Sequence, residues 1–137
     1  MRSELNFSVN LEGPVAVYMQ IENQVQFAIA SGKAKPGDTL PSVREVSDQL
    51  HVNPNTVTKA YRELELLQLV RTRRGVGVTV TERAPQIARA RMGPVVRERI
   101  RDAVAECISC GLSPEEIRAL VLAALASGVQ PYEGRKG

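Results

Sequence analysis

Between Leu40 and Val70 the apolar positions fall into two short runs of helical spacing, separated by a tight polar turn. Leu40, Val43, Val46 and Leu50 recur at intervals of three and four, which is one face of a helix. Ser42 precedes that face with Glu45 three residues later, the pattern of a capping box, and this sets where the helix begins. After His51-Val52-Asn53 a second apolar face follows in Val57, Ala60, Tyr61, Leu64 and Leu67. Asn53 or Asn55 caps it, and Pro54 suits a first turn, where no N–H is required. The opposite face holds Asn55, Thr56, Thr58, Lys59 and Arg62, which are polar or basic and rich in hydrogen-bond donors. Two such helices and a tight turn describe a helix-turn-helix whose second helix suits a DNA major groove.

The flanking patterns extend this picture. Leu5, Phe7, Val9 and Leu11 alternate loosely within residues 1–12, as in a short extended arm that ends at Gly13-Pro14. From Val15 to about Ser31 an amphipathic helix buries Val17, Tyr18, Ile21, Val25, Ala28 and Ile29, and Lys35-Pro36-Gly37-Asp38 makes a turn. After Leu69 the period drops to two. Val70 and Thr72, then Val76, Val78 and Val80, predict two strands joined around Arg73-Arg74-Gly75-Val76-Gly77. A hairpin directly after a recognition helix is the wing of a winged helix. Its tip sets Arg73 and Arg74 beside two glycines, cations on a backbone able to approach a phosphate or a minor groove.

Beyond this, residues 82–94 contain Pro85, Gly93 and Pro94 among arginines and read as a linker or an interrupted helix start. Val95 to Cys110 is predicted helical, with Val96, Ile100, Ala103, Val104 and Cys107 on one face. Ser113-Pro114-Glu115-Glu116 opens another helix with a capping box, and Ile117, Leu120, Val121, Ala124 and Leu125 form its stripe up to Gly128. A two-helix hairpin cannot bury both stripes alone and requires a partner surface. The tail from Gln130 to Gly137 is polar and expected to fray. The expected fold is therefore α+β: a winged helix-turn-helix domain over 1–81, a linker over 82–94, and a two-helix dimerisation hairpin within 95–137.

Composition narrows the function class. With no Trp, three Tyr and two Phe, the chain lacks the aromatic platforms of single-strand binders. A net charge of +3 and a pI near 9.1 are compatible with a polyanion but do not identify one. No apolar run is long enough for a membrane helix, and no signal core opens the chain, so a cytoplasmic location with reduced cysteines is expected. The parts of an enzyme site, a nucleophile–base pair, a phosphate loop or a metal cluster, are not recognisable. No cofactor is expected.

The ordered motifs are specific. The run Lys35-Pro36-Gly37-Asp38-Thr39-Leu40-Pro41-Ser42-Val43-Arg44, then Val52-Asn53-Pro54-Asn55-Thr56-Val57, Ala60-Tyr61-Arg62-Glu63-Leu64-Glu65 and Leu69-Val70-Arg71-Thr72-Arg73-Arg74-Gly75-Val76-Gly77 resembles the GntR family of bacterial transcription regulators. The Asn-Pro-Asn-Thr turn and the short helical C-terminus resemble its YtrA-type subfamily. The resemblance implies a homodimeric winged helix binding inverted-repeat operators in double-stranded DNA, usually as a repressor. Arg44 matches the family position that reaches DNA, often at a base edge. Asn53, Asn55 and Thr56 match the start of the recognition helix, and Arg74 and Gly75 the wing tip. Thr58 stands where some relatives place Arg, Gln68 replaces a Gly usual before Leu-Val, and Val78 replaces a Thr.

Together these give the expected DNA contacts: Arg44, Asn53, Asn55, Thr56, Thr58, Lys59, Arg73, Arg74 and Gly75. Each has a plainer explanation as a cap, a solvated charge or a soluble hairpin tip. His51 lacks companions at ligand spacing, so no metal is expected there. Cys107-Ile108-Ser109-Cys110 is a C-x-x-C, but it lies at a helix C-terminus, where the dipole opposes a thiolate. A metal- or redox-responsive regulator built on Cys107 and Cys110 is one alternative, requiring a dimer to supply four sulfurs. A winged-helix adaptor for protein partners is another, which the basic wing disfavours. Arg89, Arg91, Arg97, Arg99 and Arg101 are expected to pair with Glu98, Asp102 and Glu106 on a solvated face. Two helices leave no room for an enclosed effector pocket, and whether an effector sits at the dimer interface is open.

Overall fold

A computed structural model describes residues 5–128. Within them the order is α1 (Val17–Ala30), α2 (Val43–Leu50), α3 (Pro54–Leu66), β1 (Val70–Arg73), β2 (Gly77–Val80), α4 (Ala84–Ser109) and α5 (Pro114–Ala126). The expected tail from Gln130 onward lies outside the described residues. The chain divides into two compact units between Met92 and Gly93.

The first unit is a winged helix. Ile21, Val25 and Ile29 of α1, Val46 of α2, Val57 and Leu64 of α3, and Val70 and Val80 of the hairpin form its core, all essentially shielded from solvent. These are the residues that the three-four and two-residue periods put on one side of each element. β1 and β2 pair antiparallel, Val70 opposite Val80 and Arg73 opposite Gly77. Thr39 bridges to Thr79, and Leu40 N–H donates to the Val78 carbonyl at 2.8 Å, so the segment before α2 docks on β2, on the side away from β1. Val76, expected in the second strand, is in the turn, with its N–H donating to the Arg73 carbonyl.

The N-terminal arm follows the alternation over its first part, burying Leu5 and Phe7 and half-burying Val9, whereas Leu11 is exposed. The arm is held by two glutamines of α1 acting as surrogate backbone. Gln24 accepts from the Ser8 N–H and donates to the Ser8 carbonyl (3.0 and 2.6 Å). Gln20 does the same for Asn10 (2.8 and 2.9 Å). Each amide satisfies both polar groups of one extended residue, which replaces a strand partner.

One segment differs from expectation. Residues 84–94 are helix, not linker: of the two expected alternatives a helix start forms, and α4 runs from Ala84 without interruption through Gly93 and Pro94. Ala84, Ala88 and Met92, four residues apart, are buried, and Ile87 packs on the same core. That buried stripe holds the helix in place although Pro94 supplies no N–H to the Ala90 carbonyl. Arg89 and Arg91 also depart from expectation. Arg89 Nε donates to the Ala30 carbonyl (3.1 Å), at the last residue of α1, and Arg91 Nε donates to Gln26 Oε1 (2.9 Å). Gln26 is a buried side chain that the apolar pattern does not disclose. Arg101 does pair with Glu98, at 3.1 Å on an exposed surface.

The second unit holds the rest of α4 and α5. Ser113 and Glu116 close the expected capping box reciprocally. No residue of α5 is buried, and Ile100, Ile108, Leu120, Leu122 and Leu125 are all more than half exposed. Cys107 is half-buried and Cys110 exposed, and both thiols are free.

Candidate nucleic-acid interface

The recognition helix α3 is fixed at its start by a side chain and at its base by a turn. Asn53 is the cap: its Oδ1 accepts from the Asn55 N–H at 2.8 Å, which settles the choice between the two asparagines. Ser42 caps α2 in the same way, accepting from the Glu45 N–H at 3.1 Å. Between the helices His51 adopts φ +55, and buried Ser47 donates its hydroxyl to the Val52 carbonyl at 2.6 Å. Tyr61 is a core residue, as its spacing implies, and its hydroxyl donates to the Pro41 carbonyl at 2.6 Å, tying α3 to the residue before the α2 cap. Burial raises the Tyr61 pKa far above the ordinary phenol value, so the hydroxyl stays a donor.

These ties leave the expected residues outward. Arg44 in the first turn of α2, Asn53 at the cap of α3, and Asn55 and Lys59 on α3 are exposed; Thr56 and Thr58 are half-buried. Lys59 has a partner: its Nζ lies 4.1 Å from the centroid of the Tyr18 ring on α1. Every residue from Arg71 to Gly77 is exposed. Gly75 and Gly77 have φ of +79 and +112, backbone that side chains rarely adopt, so the tip requires glycine at both.

Arg71 belongs with this group, although the motif reading passes over it. Val70 turns inward, so alternation puts Arg71 and Arg73 on the outer face of β1. The same period that defines the strand is the signal that finds it. An open groove of about 460 Å³ separates the wing from the start of α2, lined by Thr39, Ser42, Val43, Val76 and Gly77 among others.

Beside the interface lies a charged cluster. The pKa of Glu22 on α1 is raised, first by burial and then by Glu63 of α3, against a smaller opposing pull from Arg91 of α4. Among the described residues no group of three or more His, Cys, Asp or Glu side chains is arranged to hold a metal, and no helix is long and apolar enough to cross a membrane.

Comparison with known proteins agrees with this geometry. The profile of bacterial regulatory proteins, gntR family, matches residues 17–80. The HTH-type transcriptional regulator YhcF of Bacillus subtilis strain 168 is 39% identical over 101 residues, covering 74% of this chain and 83% of its own length. The HTH-type transcriptional repressor YtrA of the same organism is 35% identical over 101 residues, covering 74% of this chain and 78% of its own. Among solved structures, a GntR family transcriptional regulator from Listeria monocytogenes superposes with a TM-score of 0.62 at 31% identity, over 82% of this chain and 97% of the other.

Proposed function

This chain belongs to the GntR family of bacterial DNA-binding transcription regulators, and from that premise we propose that it is a homodimeric, cytoplasmic repressor reading an inverted-repeat operator. It is a regulator and not an enzyme. The observation that carries the finer reading is the joint exposure, on one unit, of Arg44, the start of α3 and the Arg73-Arg74-Gly75 tip. In this reading α3 enters the major groove and Asn55, Thr56 and Thr58 lie along base edges or phosphates. Asn53 commits its carbonyl oxygen to the cap, which leaves its NH2 group as a donor to the backbone. A bidentate contact from Arg44 to guanine contributes about 1–3 kcal/mol of discrimination. Lys59, Arg73 and Arg74, joined by Arg71, neutralise phosphates and make affinity fall steeply with salt.

The second unit supports the homodimer. A hairpin whose apolar stripes face solvent has its simplest partner in a second copy of itself, which brings two recognition helices to half-sites about 34 Å apart. Repression is supported by the Bacillus subtilis relative that is named a repressor. The test is selection of duplex DNA from a random pool by the purified protein, repeated with Arg44→Ala. Enrichment of one inverted repeat by the wild type, abolished in the variant, is the expected result. Equal recovery of all sequences by both proteins would sink the operator reading.

A further inference from the structure

We propose that Tyr18 is a positioning residue for DNA binding, holding the Lys59 ammonium in place for a phosphate while leaving its charge intact. Lys59 lies one helical turn beyond Asn55, on the same outward face of α3, and is exposed. Its Nζ sits over the Tyr18 ring at 4.1 Å from the centroid, within cation–π range. The inference rests on the DNA-binding reading of that face and adds a residue from a different helix to it.

The choice of partner is what makes the arrangement informative. Glu63, four residues on, is the ordinary helical partner for Lys59, yet no ion pair joins them among the described residues. Glu63 lies close enough to Glu22 of α1 for the two carboxylates to repel, which raises the Glu22 pKa after burial, with Arg91 of α4 opposing. The facing columns are thus Tyr18 and Glu22 on α1 against Lys59 and Glu63 on α3, each advancing by four. A carboxylate over Lys59 would order the side chain but cancel its charge. An aromatic face orders it through its quadrupole and leaves a full positive charge for a phosphate. A free lysine loses much of its rotamer freedom when it binds, and a side chain already held by the ring loses less. Tyr18 is itself half-buried and packed against the core.

The test compares full-length wild type with Lys59→Met, Tyr18→Phe, Tyr18→Leu and the Tyr18→Leu/Lys59→Met double variant. Duplex affinity is measured across a salt series on an enriched duplex and on a scrambled one. Phosphate contacts are sequence-independent, so the scrambled duplex reports on the pair even if no operator exists. Lys59→Met should flatten the slope of log K against log salt by about 0.9 for each phosphate that the lysine neutralises in the wild type. Tyr18→Leu should weaken binding by about two- to fivefold, and Tyr18→Phe, which keeps the ring, should restore it. In the Lys59→Met background Tyr18→Leu should have no further effect, since the ring then has no ammonium to place. An unchanged slope in Lys59→Met overturns the proposal and makes the pair a structural clasp. So does unchanged or tighter binding in Tyr18→Leu, or a Tyr18→Leu defect that persists without Lys59.

Discussion

At the scale of single residues, Gln68 stands at φ +63, a left-handed backbone that costs a side chain about 1–2 kcal/mol. It is the junction between α3 and the wing, with the Leu69 N–H returning to the Leu64 carbonyl. The departure from the family's usual glycine shows in the sequence, and the structure supplies its physical meaning. Gln68→Gly should raise stability by about 1 kcal/mol, offset in part by the greater freedom of glycine in the unfolded chain. Chemical denaturation should show a higher midpoint with an unchanged slope; a lower midpoint would mean that the glutamine side chain holds the turn. Glu22 makes a second prediction. Its folded pKa is raised, so the folded protein binds this proton more tightly than the unfolded chain, and stability falls as pH rises from the ordinary value of 4.5 through the folded one. Glu22→Gln should therefore gain stability relative to wild type as pH climbs through that window and hold the gain at neutral pH. A gain confined to acid pH would contradict the sign. Neither Gln26 nor its bond to Arg91 is legible in the sequence, because a glutamine among α1's apolar positions carries no sign of being buried.

At the scale of elements, legibility follows whether a local rule or a distant surface decides the structure. The caps at Ser42, Asn53 and Ser113 are local, since a short side chain meets an N–H two or three residues ahead. The hairpin is local too, because alternation and glycines set its turn. The start of α4 is not. Pro85, Gly93 and Pro94 speak for a break, and what overrides them is burial of Ala84, Ala88 and Met92 on a core contributed by other elements. Alanines give a weak apolar signal, so the stripe that anchors the helix is the least visible part of it. If burial holds this stretch, Ala88→Asp should cost several kcal/mol by placing an unpaired charge in the core. Pro94→Ala, which restores an N–H toward the Ala90 carbonyl, should strengthen α4 by up to about 3 kcal/mol. Hydrogen exchange would read both: faster exchange throughout the first unit for the aspartate, and slower exchange around residue 94 for the alanine. Unchanged protection in Ala88→Asp would show that this helix start does not depend on the core.

At the scale of the whole molecule, the chain uses its apolar side chains in two ways. In the first unit most of them close into one core, although Leu11, Leu66 and Val76 stay exposed, and the outward residues of the expected DNA face are mainly hydrogen-bond donors. In the second unit α5 buries none of its residues, and Ile100 and Leu125 are 60% and 73% exposed. Both stripes are legible as helical periods, but a period shows only that a face is apolar and not what covers it. A second copy is the occupant proposed here, and it predicts a clean separation of folding from binding. Ile100→Glu with Leu125→Glu removes apolar area that the single chain does not enclose, so the winged unit should keep its helical content and its unfolding midpoint. In sedimentation, the wild type should run as a dimer and the double variant as a monomer. On a duplex with two half-sites the variant should bind about a hundredfold more weakly or worse, because the second half-site no longer profits from the high effective concentration of a linked module. On a duplex with one half-site the two proteins should differ little. A double variant that remains dimeric would place the interface elsewhere. A monomer that keeps full affinity for the two-site duplex would show that the operator is read by one winged helix at a time.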